Sequence, residues 1–158
     1  MAVDYFLKVG DIEGESTDKE FKHNIDIESF SWGVSNPGSA PGGGGGGAGK
    51  ASFQDFSFVT KVTKASPELL LASASGKHID KAVLTGRRAG ERQFTFLKVT
   101  LTDVLVSSYQ EAGGEADVPI DSFSLNFSKI EVEYLSQGGK GEQISSKAGW
   151  DLKANKKL

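Results

Sequence analysis

The chain has 158 residues, no cysteine and a formal net charge of −3, which is enough length to bury a sizeable core without covalent staples. The missing cysteines exclude a disulfide framework and any thiolate metal site, and the acidic balance argues against a nucleic-acid surface, which shows as a basic excess. No stretch approaches the ~20 apolar residues that span a bilayer, and Asp4 and Lys8 interrupt the N-terminal segment where a signal peptide would need an unbroken apolar run. Synthesis in the cytoplasm is therefore expected, with any export following a route that ignores N-terminal signals.

In chain order, the first predicted strand places Val3, Tyr5, Leu7 and Val9 on one face and Asp4, Phe6 and Lys8 on the other. Residues 10–14 form a turn. Ile25 and Ile27 alternate with Asp26 and Glu28, and the apolar phase then slips to Phe30, Trp32 and Val34, which predicts a bulge near Ser29. Residues 35–50 hold Ser35, Asn36 and Pro37, then the glycine run from Gly42 to Gly47, and end at Lys50. Glycine supplies flexibility and no core, so a long mobile loop between two strands is expected. Further strands are predicted over 53–62, 81–87, 93–107, 123–135 and 148–154, with turns at 112–114 and 137–141. The only helix is predicted over 66–76, with Ser66 as N-cap, Pro67 at the first helical position, Glu68 near the positive end of the dipole and Gly76 as a left-handed stop. At about three turns it must pack its leucines on the sheet. Many short strands with glycine-rich connections indicate a mainly β sandwich or barrel with one embedded helix.

Residues 44–51 approach a phosphate-binding loop, but Ala51 replaces the hydroxyl residue that must follow Lys50, Pro37 and Pro41 precede the run, and a strand follows where a helix is needed. His23 and His78 have no second ligand at helical or hairpin spacing. The pairs Asp26/Glu28 and Glu131/Glu133 have the composition of a glycosidase pair and equally that of the wet face of a strand, the simpler reading. The sequon at Asn126 lies in a strand and lacks a secretory context. Trp32 and Trp150 can stack on sugars, which makes a monomeric carbohydrate-binding β-sandwich the alternative function, although each belongs to an alternating strand beside other apolar residues, so core packing is the better reading. No catalytic constellation or cofactor site emerges.

Several segments in order resemble the Hcp (haemolysin-coregulated protein) family, the inner-tube protein of type VI secretion. They are residues 2–16, including Tyr5, Phe6, Leu7, Lys8, Val9 and Gly10; residues 28–35, with Phe30, Ser31 and Trp32; the glycine-rich segment closing at Ala48, Gly49 and Lys50; residues 66–78; residues 97–109; and residues 125–134. The resemblance implies a single domain over 1–158, with a two-sheet β-barrel-like body, one short flanking helix and a protruding glycine-rich loop. It also implies homohexameric rings that stack into a tube, a contractile sheath and baseplate, a VgrG-like spike, small effector proteins carried in the lumen, and passage out of the cell through the apparatus. No nucleic acid and no membrane insertion are expected. Residues 35–50 would then bridge rings, with Ser35, Asn36, Pro37, Gly42, Gly47 and Lys50 as the contact positions. Ser31, opposite Phe30 and Trp32 by alternation, would face the lumen and meet cargo.

Overall fold

The computed structural model describes residues 2–38, 50–90 and 92–158. Twelve strands and one helix follow in the order β1 (Val3–Val9), β2 (Ile25–Ile27), β3 (Ser29–Ser31), β4 (Val34–Ser35), β5 (Ser52–Phe53), β6 (Phe56–Lys61), α1 (Ala65–Ser75), β7 (His78–Arg88), β8 (Phe94–Gly114), β9 (Asp117–Asn126), β10 (Lys129–Gln137), β11 (Gln143–Asp151) and β12 (Lys156–Lys157). All pairings are antiparallel.

Strand β8 organises the body. Its first half pairs with β7 and β10, in a layer ordered β2-β1-β7-β8-β10-β11-β12; its second half pairs with β9, which continues through β6 to β3. The change of layer falls where Asp103 takes a positive φ of 54° and a bulge inserts Ser107, the devices by which strands bend. A second crossing lies at Glu28. There β2 leaves β1 and β3 joins β6, with the Glu28 N–H donating to the Val59 carbonyl at 2.9 Å. Where a bulge was expected near Ser29, the chain instead bends at Glu28 and changes its pairing partner, and the body is barrel-like without being a closed barrel.

The two layers meet over a core whose largest fully buried side chains are Phe56, Phe58 and Phe123 from one layer and Leu7, Ile25, Leu84 and Leu101 from the other. Phe58 stacks on Phe56 at 4.9 Å and on Phe123 at 5.2 Å between ring centroids. The predicted strand 123–135 is in fact two. Pairing moves from β6 to β11 across Phe127 and Ser128, where Phe127 is buried and the Ser128 N–H donates to the Thr102 carbonyl. Likewise 53–62 divides into β5 and β6, while 93–107 extends to Gly114.

The helix begins one residue earlier than expected, and Ser66 is not its N-cap. Lys64 holds that position without a side-chain capping bond, its ammonium lying 3.4 Å from Glu13 instead. The Thr63 hydroxyl accepts the Ala65 N–H at 3.1 Å, and the Ser66 hydroxyl, which accepts the Thr63 N–H, turns inward and donates to the fully buried Asp121. Asp121 also accepts from the Tyr109 hydroxyl at 2.8 Å, so a buried carboxylate pins the helix to β8 and β9; burial foremost, together with that bond, raises the Tyr109 phenol. Gly76 stops the helix in the left-handed region at φ 66°. Only Leu69 among the leucines packs inward; Leu70 and Leu71 are exposed.

Phe6, expected on the wet face of β1, is buried because residues 13–24 fold across it. Phe21 stacks on Phe6 at 4.5 Å, and the buried Arg87 guanidinium lies 5.0 and 5.3 Å from the two ring centroids. Asp18 receives that guanidinium in a bidentate pair. The bond from Arg87 is the main reason the Asp18 carboxyl falls from an ordinary value of 3.8 to about 2. A depressed carboxyl stabilises the fold above its unfolded value, and that contribution disappears as pH falls from there through the folded value. Asp18→Asn should therefore lower stability to urea by a constant amount above about pH 5, with the gap to wild type closing towards pH 2. A gap still open at pH 2 would show that the ion pair is not its source.

Candidate functional site

The second layer carries the most distinctive surface. Its register places Ser31 opposite Ser57, Ser57 opposite Ser124, and Ser124 opposite Ser108. The next row on that face runs Ser29, Val59, Ser122, Gln110. The intervening residues Phe30, Phe58, Phe123 and Tyr109 point to the core side, because successive side chains of a strand face opposite ways. The outer face is thus a field of hydroxyls without a formal charge in either row. Ser124 is its hub, 2.7 Å from the Ser107 hydroxyl and 2.6 Å from that of Ser108. Ser31 is exposed at the β3 edge of this field.

Alternation in the sequence singles out Ser31 and misses Ser57, Ser108 and Ser124. A local signal for them exists: Ser57 sits between Phe56 and Phe58, and Ser122 and Ser124 flank Phe123, the same polar–aromatic alternation as Ser29, Phe30 and Ser31. That they form one face depends on the pairing of β3, β6 and β9, which alternation within a strand does not specify.

Among the described residues, both edges of this four-stranded layer are open. β3 pairs only with β6, and residues 106–114 of β8 pair only with β9, since β7 and β10 cover β8 no further than Leu105. Unpaired edges of this kind are sites for strand addition.

The predicted contact loop is clamped at its base. Val34 pairs with Phe53 and Ser35 with Ser52, and the Gln54 N–H donates to the Gly33 carbonyl at 2.9 Å. Ser35, Asn36, Pro37 and Lys50 are exposed around this stem, and the Asn36 side chain accepts the Gly38 N–H. Gly42 and Gly47 lie outside the described residues. After Lys50 the chain enters β5 and not a helix, so the phosphate-loop context is missing.

Trp32 and Trp150 come together from distant segments. They are half-buried and share a groove of about 500 Å³ with Val34, Phe53, Val132 and Ala148. Among the described residues, and apart from the indoles, Asn36 is the one polar side chain lining it, a poor match to a sugar, which needs several placed hydrogen-bonding groups. Of the carboxylates, Glu28 lies 3.9 Å from Lys61 and Glu131 3.0 Å from Lys147, while Glu133 accepts from Ser145. Burial above all, with the charges of Asp4 and Asp18, raises Asp26. His78 lies 3.1 Å from Asp103 and 3.6 Å from Asp80 on an exposed face. Among the described residues no group of three or more histidines and carboxylates is arranged to hold a metal ion, and no helix is long and apolar enough to cross a membrane.

Comparison with known proteins agrees with this geometry. Residues 6–134 match the family model described as type VI secretion system effector, Hcp. The chain is 45% identical over 159 aligned residues to Protein hcp1 of Pseudomonas aeruginosa, covering 98% of each. Its fold matches Hcp1 from Salmonella typhimurium with a TM-score of 0.83 at 34% identity, over all of both chains. A type six secretion system protein gives 0.89 at 30% identity, covering 99% of this chain and 100% of the other. A type VI secretion system effector from Yersinia pestis gives 0.76 at 30%, covering 94% and 99%.

Proposed function

The chain belongs to the Hcp family and is a tube subunit of type VI secretion, and we propose that it works as one non-catalytic unit closing into six-membered rings that stack and carry small effector proteins. The four-stranded layer with two open edges is the observation that carries this reading. A repeated head-to-tail contact closes into a ring, and adding the β8 edge of one copy to the β3 edge of the next would satisfy the unpaired backbone groups of both. Joined in that way, the layers bring their hydroxyl faces round one circumference. Ser31, Ser57 and Ser108 then line the lumen and meet cargo through hydrogen bonds, with the buried Ser124 bonded to Ser107 and Ser108 beneath them. Residues 35–50, held at their stem by β4 and β5, reach the neighbouring ring through Ser35, Asn36, Pro37, Gly42, Gly47 and Lys50. The sheath, baseplate and VgrG-like spike act on the outside and tip of that tube, and the protein leaves the cytoplasm through the apparatus.

Negative-stain imaging of the purified protein tests this directly, with six-fold rings expected and a strict monomer at high concentration counting against it. Deleting the glycine run from Gly42 to Gly47 should leave rings intact and reduce their stacking into tubes. Unchanged tube length in that variant would remove the loop from the stacking contact.

A further inference from the structure

The layer built from β1, β7 and the first half of β8 turns its outer face away from the hydroxyl field, and that face carries a hollow of about 480 Å³ where residues 13–24 fold across β1. Three lysines from three segments border it: Lys8 of β1, Lys22 of the crossing segment and Lys98 of β8. Among the described residues none of these ammoniums has an ion pair or a hydrogen bond. Glu133, opposite Lys98 in the ladder, accepts from Ser145 instead. The one acid on the border is Glu20, so three lysines against one glutamate leave the hollow positive. Thr85 is the more telling residue. It is only 7% exposed and lines the hollow, yet its hydroxyl bonds to nothing among the described residues. Buried polar groups are nearly always satisfied, so a hydroxyl held this deep without a partner marks a place for one supplied from outside the chain. The border is held in place as well. Asp18 grips Arg87 and Phe21 stacks on Phe6. The crossing segment closes on itself where the Gly14 N–H donates to the His23 carbonyl at 2.8 Å and the His23 N–H to the Ser16 carbonyl at 2.9 Å.

We infer that this hollow docks an acidic segment of a partner protein, which sets closely spaced carboxylates against Lys8, Lys22 and Lys98 and one acceptor oxygen against the Thr85 hydroxyl. Bonds from these donors to ionised acceptors are roughly twice as strong as neutral ones, and a cleft lined by one sign of charge focuses its field. The spread of the cations argues for a segment and not a small anion. By register Lys8 and Lys98 are two strands and two residues apart, about 12 Å between backbones at ~4.8 Å per strand and ~3.3 Å per residue. A lone phosphate or carboxylate is typically fixed by an arginine fork or a nest of backbone N–H groups, and the nearby Arg87 gives its fork to Asp18. With the hydroxyl field lining the lumen, this face turns to the outside of the ring and repeats in every copy. The inference rests on the ring reading for where the partner lies, while the hollow is complete within one protomer.

Fluorescein-labelled hexaglutamate, titrated with the full chain at low ionic strength and followed by fluorescence anisotropy, tests the site. The wild type should bind it saturably and leave labelled hexaglutamine unbound. Lys8→Gln with Lys98→Gln should weaken the peptide roughly tenfold or more, the scale of one hydrogen bond to a charged group. Lys140→Gln with Lys153→Gln, an equal charge change at exposed positions away from the hollow, should weaken it by less than about twofold, as isolated surface charges do. Thr85→Val keeps the side-chain shape and should weaken binding about threefold or more without lowering stability to urea, since the lost hydroxyl holds no bond in the fold. Equal losses from the two lysine pairs, or an unchanged affinity in Thr85→Val, would overturn the site. Displacement of the peptide by inorganic phosphate, but not by chloride at the same ionic strength, would overturn the protein partner in favour of a free anion. Rings that fail to bind the peptide would remove the site and leave the ring standing. A wild-type protein that binds it and forms no ring would keep the site and remove the ring reading.

Discussion

Phe58→Ala should destabilise the protein by about 3–5 kcal/mol, the usual cost of truncating a fully buried phenylalanine. Phe58 is 1% exposed and lies between Phe56 and Phe123 in a stacked run. Truncation therefore removes buried area, opens a cavity and breaks two ring contacts, each worth roughly 0.5–1.5 kcal/mol beyond area. Against a total of about 5–15 kcal/mol for an ordinary domain, that loss approaches the unfolding threshold. It also reaches the function, because Phe58 and its neighbours Ser57 and Val59 share one strand, with the aromatic fixing the plane from which the hydroxyls project. Chemical denaturation measures the effect, and a loss below about 1 kcal/mol, the scale of an ordinary surface-to-moderate substitution, would show that the aromatic run does not hold the layers together. Phe53→Ala is the control: Phe53 is only half-buried in the two-stranded stem, so its cost should be clearly smaller.

How much of this was legible beforehand varied with the length scale involved. Alternation located β1, β2, β6, β7 and part of β8, because each has a face whose burial repeats every second residue. The Hcp resemblance supplied the family. Alternation failed where burial comes from a segment elsewhere in the chain. Phe6 reads as the odd residue on a polar face, and only the fold-over of residues 13–24, with Arg87 held by Asp18, makes it core. Ser66 reads as a helix cap because Pro67 and Glu68 follow, but a buried carboxylate 55 residues away claims its hydroxyl. The strand over 123–135 reads as continuous, yet its apolar phase slips from Phe123, Leu125 and Phe127 to Ile130, Val132 and Tyr134, which is the local mark of the change of pairing partner. Ser31 was found by alternation and the rest of its field was not, since membership of one face is a property of register. Trp32 and Trp150 each read as core, and the groove they share arises from tertiary contact.

Ser57→Glu should leave the protomer and its rings unchanged and alter which proteins the rings retain by roughly tenfold or more, a free-energy change of about 1.4 kcal/mol per factor of ten. Ser57 is exposed, its cross-strand neighbours on that face are Ser31 and Ser124, and the nearest carboxylate there, Asp55, is two residues along the chain and bonded to Asn126, so the change should cost within about 0.5 kcal/mol, as surface changes do. The ring multiplies it: a single substitution repeats in every copy round the lumen, turning a hydroxyl-lined wall into a belt of one sign. Inside a narrow passage walled by protein such a belt focuses its field, and like charge set against a partner is costly. Acidic passengers should be excluded and basic ones retained, with Ser57→Lys giving the reverse selection and both effects weakening as salt is raised. Mass spectrometry of proteins co-purifying with rings of the two variants reads the outcome. An identical cargo set in both would place the hydroxyl field away from the passage. A wall with no charge of its own in either serine row discriminates little by the sign of its cargo, which suits a tube that must accept passengers of either sign and release them by simple dissociation.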